Sequence, residues 1–233
     1  MQLAETELAA KIVAWLTEQH WTVYQEVQPS RWGGGRADIV AVQGKIVWVI
    51  ECKTTLSLAV IAQADRWQVH FRSVAVPRPK KPRGYAEQGM IEKVCRWLGL
   101  GIIEVGNRTG IRQVVAPPIK REHHKAALTL LGVLKPEHQT AAVAGSKAGG
   151  HWTPYRDTMQ RVKDFLRGKQ GASLKEVMGA VGKGHYASTA SCRSNLRKCL
   201  EDYESEWCAV DKAVKPWRYS LRTVNSQKGP GTA

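Results

Sequence analysis

Five consecutive apolar residues, Ile46-Val47-Trp48-Val49-Ile50, form the longest strongly apolar run of the chain and lead directly into Glu51-Cys52-Lys53. The run falls far below the ~18 residues of a membrane-spanning helix and matches a buried strand. A buried strand normally ends in a turn residue, so an acid and a base at its end ask for a chemical reason. Because side chains alternate along a strand, Glu51 and Lys53 share one face and Cys52 points to the other.

The surrounding pattern supplies this strand with neighbours. Leu8, Ile12 and Leu16 recur every four residues and predict a helix over 3–20. β-rich runs cover 23–27, 37–42 and 46–52, the last two joined by Gln43-Gly44-Lys45, a turn suited to a hairpin. A helix over 58–71, a strand over 73–76, a helix over 86–98 and strands over 102–105 and 112–115 follow. The order α-β-β-β-α-β predicts a mixed α/β domain spanning 1–118. Residues 119–153 read as a linker, partly helical around 126–134 and rich in Ala and Gly from 141 to 150. Over 154–223, helices at 155–167, 173–181 and 189–200 and strands at 207–210 and 217–221 predict a winged helix-turn-helix. Ser173-Leu174-Lys175-Glu176 is a capping box that sets the start of the middle helix. Residues 224–233 read as a disordered tail.

Composition narrows the partners. The chain has 35 Lys and Arg against 20 Asp and Glu, a formal +15 spread over both halves, which suggests a polyanionic partner such as nucleic acid. Cys52, Cys95, Cys192, Cys199 and Cys208 are odd in number and contain no C-x-x-C pair, which fits reduced thiols rather than a disulfide framework or zinc ribbon. Glu5 and Glu7 stand where a secretory signal would be basic, so a cytoplasmic location without a membrane anchor is expected.

Asp38 opens one strand of the hairpin and Glu51 and Lys53 close the other. Two carboxylates on adjacent strands suit a hard divalent cation, and a Lys beside them can orient water or steady a phosphate oxygen. Asp38 … Glu51-Cys52-Lys53 resembles the D … (D/E)xK signature of the PD-(D/E)xK nuclease superfamily, which includes restriction endonucleases and archaeal-type Holliday junction resolvases. The likeness covers roughly the first half of the chain. Ala4-Glu5-Thr6-Glu7-Leu8 is similar to the opening helix of the resolvases, and Gln63 resembles the Gln that often follows E-x-K. Ala37 stands where the signature has Pro, a position that carries no catalytic atom.

The resemblance implies a restriction-endonuclease-like α/β core and a DNA endonuclease using Mg²⁺ or Mn²⁺ and no small-molecule cofactor. Asp38, Glu51, the Cys52 backbone carbonyl and Glu5 would hold the metal, Lys53 would assist the water, and Gln63 would support the site. A helical wheel turns Glu5 inward with Leu8 and Glu7 outward, with Glu7 the alternative third acid. Glu26 either supports the metal site or pairs with a nearby Arg. Arg36, in a loop with Arg31 and Gly33-Gly34-Gly35, either follows a DNA backbone or belongs to a plain connection. Such small nuclease domains often act as homodimers, because one site cuts one strand.

DNA contacts are expected from two further places. Arg78, Lys80, Lys81 and Arg83 form a basic loop after the fourth strand, to be weighed against a merely solvated loop. In the last helix, Cys192, Leu196, Cys199 and Leu200 form the apolar stripe, leaving Arg193, Ser194, Arg197 and Lys198 outward for a DNA groove. Lys212, Lys215 and Arg218 fall on the wing. His123, His124 and His151 lack metal-ligand spacing and read as surface or linker residues. Two other functions compete: an inactive nuclease fold serving recombination or repair as an accessory, and an RNA-directed nuclease.

Overall fold

The computed structural model describes residues 3–29, 35–79, 85–107, 110–140, 142, 144–145 and 152–222. The chain divides into two compact units, Met1–Trp152 and Thr153–Ala233.

The first unit is α/β. Helix α1 (Glu5–Glu18) precedes strands β1 (Thr22–Val27), β2 (Ala37–Gln43) and β3 (Ile46–Cys52). Helix α2 (Leu58–Asp65), β4 (Phe71–Pro77), α3 (Tyr85–Leu98), β5 (Gly101–Val105) and β6 (Ile111–Val115) follow. All six strands form one mixed sheet in chain order. β1, β2 and β3 pair antiparallel, β3, β4 and β5 parallel, and β5 and β6 antiparallel. Parallel neighbours need a crossover, which α2 and α3 supply.

Each helix buries one apolar stripe. Leu8, Ile12 and Leu16 of α1 pack on Ile39, Ala41, Ile50 and Cys52, one face of the sheet. The opposite face takes Val60, Ile61 and Ala64 of α2 with Cys95 of α3 over Val74, Val76 and Ile102. The apolar run 46–50 is therefore buried from both sides, as its unbroken character demands.

Two elements differ from the sequence reading. The second helix stops at Asp65 rather than running to 71, because Phe71 already pairs with Trp48 in the parallel ladder and strand pairing overrides helical periodicity. The segment read as a linker contains helix α4 (His124–Leu131), whose Ala127 and Leu130 are fully buried against Val40, Val47, Val49, Trp67 and Val69. It is part of the first unit's core. His124, read as a surface residue, is exposed, yet its Nδ1 lies 2.9 Å from Nε2 of the buried His70, and His123 is half-buried. His151 lies outside the described residues, as do 146–150 of the Ala/Gly-rich stretch and the expected tail over 224–233.

The second unit contains helices α5 (Pro154–Leu166), α6 (Leu174–Val181) and α7 (Thr189–Lys198). Strands β7 (Ala172–Ser173), β8 (Cys208–Asp211) and β9 (Arg218–Leu221) form an antiparallel sheet in the order β7-β9-β8. The capping box forms: Ser173 Oγ accepts from the Glu176 amide, and the Glu176 carboxylate accepts the Ser173 amide at 2.7 Å. Cys192, Leu196 and Leu200 are buried with Val162, Leu166 and Tyr219, and Cys199 is half-buried beside them. Among the described residues no helix is long and apolar enough to cross a membrane.

Candidate active site

Sheet register brings acids together. Ile39 faces Ile50, and continuing that pairing by one residue sets Asp38 across from Glu51. Gln25 faces Ile39 and Val27 faces Ala37, so Glu26 stands across from Asp38 on the other side. Glu26, Asp38 and Glu51 thus form a row across β1, β2 and β3. All three are buried, at 1%, 5% and 0% exposure. Like charges directly opposite one another destabilise a sheet, so the row needs compensation.

Each acid has its own cation. Arg36 pairs with Glu26 through Nε. Lys53 Nζ lies 3.9 Å from Asp38 Oδ2, and Arg66 lies 3.9 Å from Glu51 Oε1. Neutral donors add to this: the Cys52 amide donates to Asp38 Oδ2 at 2.8 Å, Gln63 Nε2 to Glu51 Oε2 at 2.6 Å, and Trp67 Nε1 to Glu51 Oε1 at 2.5 Å. The Gly145 amide donates to Glu26 Oε1 at 2.7 Å.

Glu5, the first residue of α1, sends Oε2 to within 3.5 Å of Lys53 Nζ. Glu7 is exposed and accepts from the Ala4 amide at 3.0 Å, capping its own helix. Of the two sequence alternatives for Glu26, the pairing with Arg is the contact that forms. Cys52 joins the site through its backbone, while its side chain is buried with Leu8 and Ile50 under α1. Arg78 follows β4 at the same end of the sheet as Lys53, half-buried, with its amide on the Val105 carbonyl. Lys80, Lys81, Arg83, Arg31, Gly33 and Gly34 lie outside the described residues.

The electrostatics follow from burial. Loss of water raises Glu51 to about 8, and the neighbouring Asp38 carboxylate adds to the rise against Trp67 and Arg66. Burial also raises Asp38, opposed by Lys53 and the Cys52 amide, and raises Glu26, opposed by Gly145 and Arg36. The two carboxyls are coupled: the Asp38 carboxylate pushes Glu51 up, while Glu51 holds Asp38 down. For Lys53, burial disfavours the charge, but Asp38 and Glu5 outweigh it and hold the ammonium above its usual value.

This donor set fits a divalent cation. Two hard oxygen groups on facing strands can share a metal, whose charge offsets the burial that raises both. Each Glu51 oxygen keeps a lone pair beyond its present hydrogen bond. Among the described residues no group of three or more His, Cys, Asp or Glu is arranged around one metal position. Glu5 stands with Lys53, beside the Asp38–Glu51 pair.

Sequence reasoning missed Trp67 and Arg66. Trp67 lies beyond the end of α2, so no helical spacing ties it to Gln63 and the sequence carried no local signal for it. It also missed Gly145, which is distant in sequence and had no local signature. Comparison of the chain with protein-family models, curated proteins and solved structures finds no match.

In the second unit, the basic residues expected to meet DNA divide into two groups. Arg197 and Lys212 both pair with Glu201, at 2.9 and 3.2 Å, and flank the Trp217 ring at 4.2 and 4.8 Å. Arg218 pairs with Glu176 at 3.1 Å. Arg193, Lys198 and Lys215 are exposed and form no ion pair among the described residues. Ser194 is exposed, with its hydroxyl turned back to the carbonyls of Ala190 and Ser191.

Proposed function

We propose that the chain is a divalent-metal-dependent endonuclease that hydrolyses DNA phosphodiester bonds. Its first unit reads as a restriction-endonuclease-like domain and its second as a winged helix that helps hold the DNA. The observation that carries this reading is the convergence of Asp38, Glu51 and Lys53 at one strand end, with Glu5 on the lysine. Buried acids beside an ammonium are costly for stability alone and useful for polarising a phosphate.

In this reading Asp38 and Glu51 would hold Mg²⁺ or Mn²⁺, with the Cys52 carbonyl and Glu5 as further donors. The ion would supply charge neutralisation and an acidified water. Gln63 and Trp67 fix the Glu51 carboxylate. Lys53 acts as a hydrogen-bond donor rather than a base, because its acidic neighbours keep it charged. As a donor it orients the attacking water and steadies a phosphate oxygen. Arg66 and Arg36, each paired with one of the acids, suit the flanking phosphates. In the winged helix, Arg193, Lys198 and Lys215 have charge free for phosphates, while Glu201 ties α7 to the wing.

The test is incubation of the full chain with plasmid, single-stranded and branched DNA, and with RNA, in Mg²⁺ or Mn²⁺ and then in EDTA. Metal-dependent DNA cleavage that disappears in Asp38→Ala is expected. No cleavage of any DNA, or equal cleavage by Asp38→Ala, overturns the assignment, and cleavage of RNA alone moves the substrate class.

A further inference from the structure

We propose that Gly145, 119 residues beyond Glu26 in sequence, is a positioning residue that sets Glu5 against Lys53 and Glu26 against Arg36. The proposal rests on the nuclease reading. Three contacts support it. The Gly145 amide donates to Glu26 Oε1 at 2.7 Å, which leaves the other oxygen of that buried carboxylate to Arg36. The preceding Ala144 is fully buried with Leu3 and Leu8, and its amide donates to Gln25 at 3.0 Å, so the strap is anchored rather than laid over the surface. Gly145 also lies directly against the first turn of α1. A Cβ there would stand 2.9 Å from Glu5 Cβ and 3.0 Å from its carbonyl carbon.

These neighbours cannot swing away as the tip of a flexible side chain could. A methyl group at 145 must push the start of α1, and with it the Glu5 carboxylate that meets Lys53. Glu26 is under tension of its own, since its φ of +54° is uncommon for any residue but glycine. One backbone segment thus holds both acids, and Gly145 is the residue whose missing side chain permits it.

Gly110 provides a matched control. Its φ of +73° is close to the +78° of Gly145, but among the described residues, its chain neighbours aside, no atom lies within 4 Å of where its Cβ would stand. Alanine at either position carries a similar backbone penalty, and only Gly145→Ala disturbs the acids. We expect Gly145→Ala to lower kcat for Mg²⁺-dependent cleavage at least tenfold and to weaken Mn²⁺ binding measured by calorimetry without DNA. DNA affinity in EDTA should stay at the wild-type value, and Gly110→Ala should match wild type in cleavage and Mn²⁺ binding. Equal kcat and equal Mn²⁺ affinity in the two variants would overturn the proposal while leaving the nuclease reading intact. Wild-type protein that cuts no DNA overturns both. If Gly145→Ala fails to fold, amide exchange of Gly145 in the wild-type chain decides: exchange should slow when Mg²⁺ is added, and an unchanged rate refutes the role.

Discussion

A carboxylate row across three strands is stable only while its charge is matched, and each member has a distinct role. Asp38→Ala or Glu51→Ala should abolish cleavage while leaving DNA affinity unchanged or slightly improved, since a charge facing phosphate is removed. Glu5→Gln should lower activity far more than Glu7→Gln, because Glu5 meets Lys53 whereas Glu7 caps its own helix; equal rates would refute that division. Glu51, raised to about 8, gives the pH dependence its sign. Between its ordinary value and about 8 the folded protein retains a proton that the unfolded chain has released. Metal-free stability therefore falls as pH rises through that window and levels off above it. A cation must displace the same proton, so Mn²⁺ affinity should climb up to about tenfold per pH unit below about 8 and flatten beyond. Calorimetry across a pH series checks this, and a flat profile would remove Glu51 from the ligand set. Trp67→Phe keeps most of the packing but takes the N–H from Glu51 Oε1, at a cost of about 1–3 kcal/mol in chemical denaturation.

At the scale of elements, α2 and α4 support the row from beneath. α2 presents Gln63, and the turn after it presents Arg66 and Trp67. Trp67 is itself covered by Ala127 and Leu130 of α4. Leu130→Ala should destabilise the first unit by about 2–5 kcal/mol in urea unfolding, the range for a fully buried leucine. Helix α7 and the β8–β9 hairpin are joined by Glu201, which accepts Arg197 and Lys212 on either side of Trp217. Arg193→Glu together with Lys198→Glu should weaken duplex binding in EDTA, and the salt slope should fall by roughly 0.9 for every phosphate that is no longer neutralised. An unchanged affinity and slope would instead assign α7 a protein-contact role.

For the whole molecule, the two units have separate cores, one on either side of Trp152. A chain ending at Pro118 loses α4 and the 144–145 strap and should not fold to a native first unit. A chain ending at Trp152 keeps both and should unfold cooperatively. It should also cut DNA in Mg²⁺ but bind it more weakly than the full chain. Circular dichroism melts of the two truncations separate the cases, and a stable, cooperative 1–118 would mean that α4 contributes little.

Much of this was legible in local pattern. The alternation and length of apolar runs identified the strands, the four-residue spacing of Leu8, Ile12 and Leu16 identified α1, and Ser173 with Glu176 marked the start of α6. Such features depend on residues a few positions apart, so periodicity and capping chemistry suffice to read them. Asp38, Glu51 and Lys53 were visible for the same reason: charge at the end of an apolar strand is a local anomaly. Three other features depend on contacts between distant parts of the chain, and only the tertiary structure decided them. Strand register set Glu26 opposite Asp38 and gave it Arg36. Parallel pairing of Phe71 with Trp48 ended α2 early and released Trp67 toward Glu51. The packing of residues 124–131 and 144–145 turned an apparent linker into core and site wall, because an apolar stripe and a lone glycine do not record what they will meet.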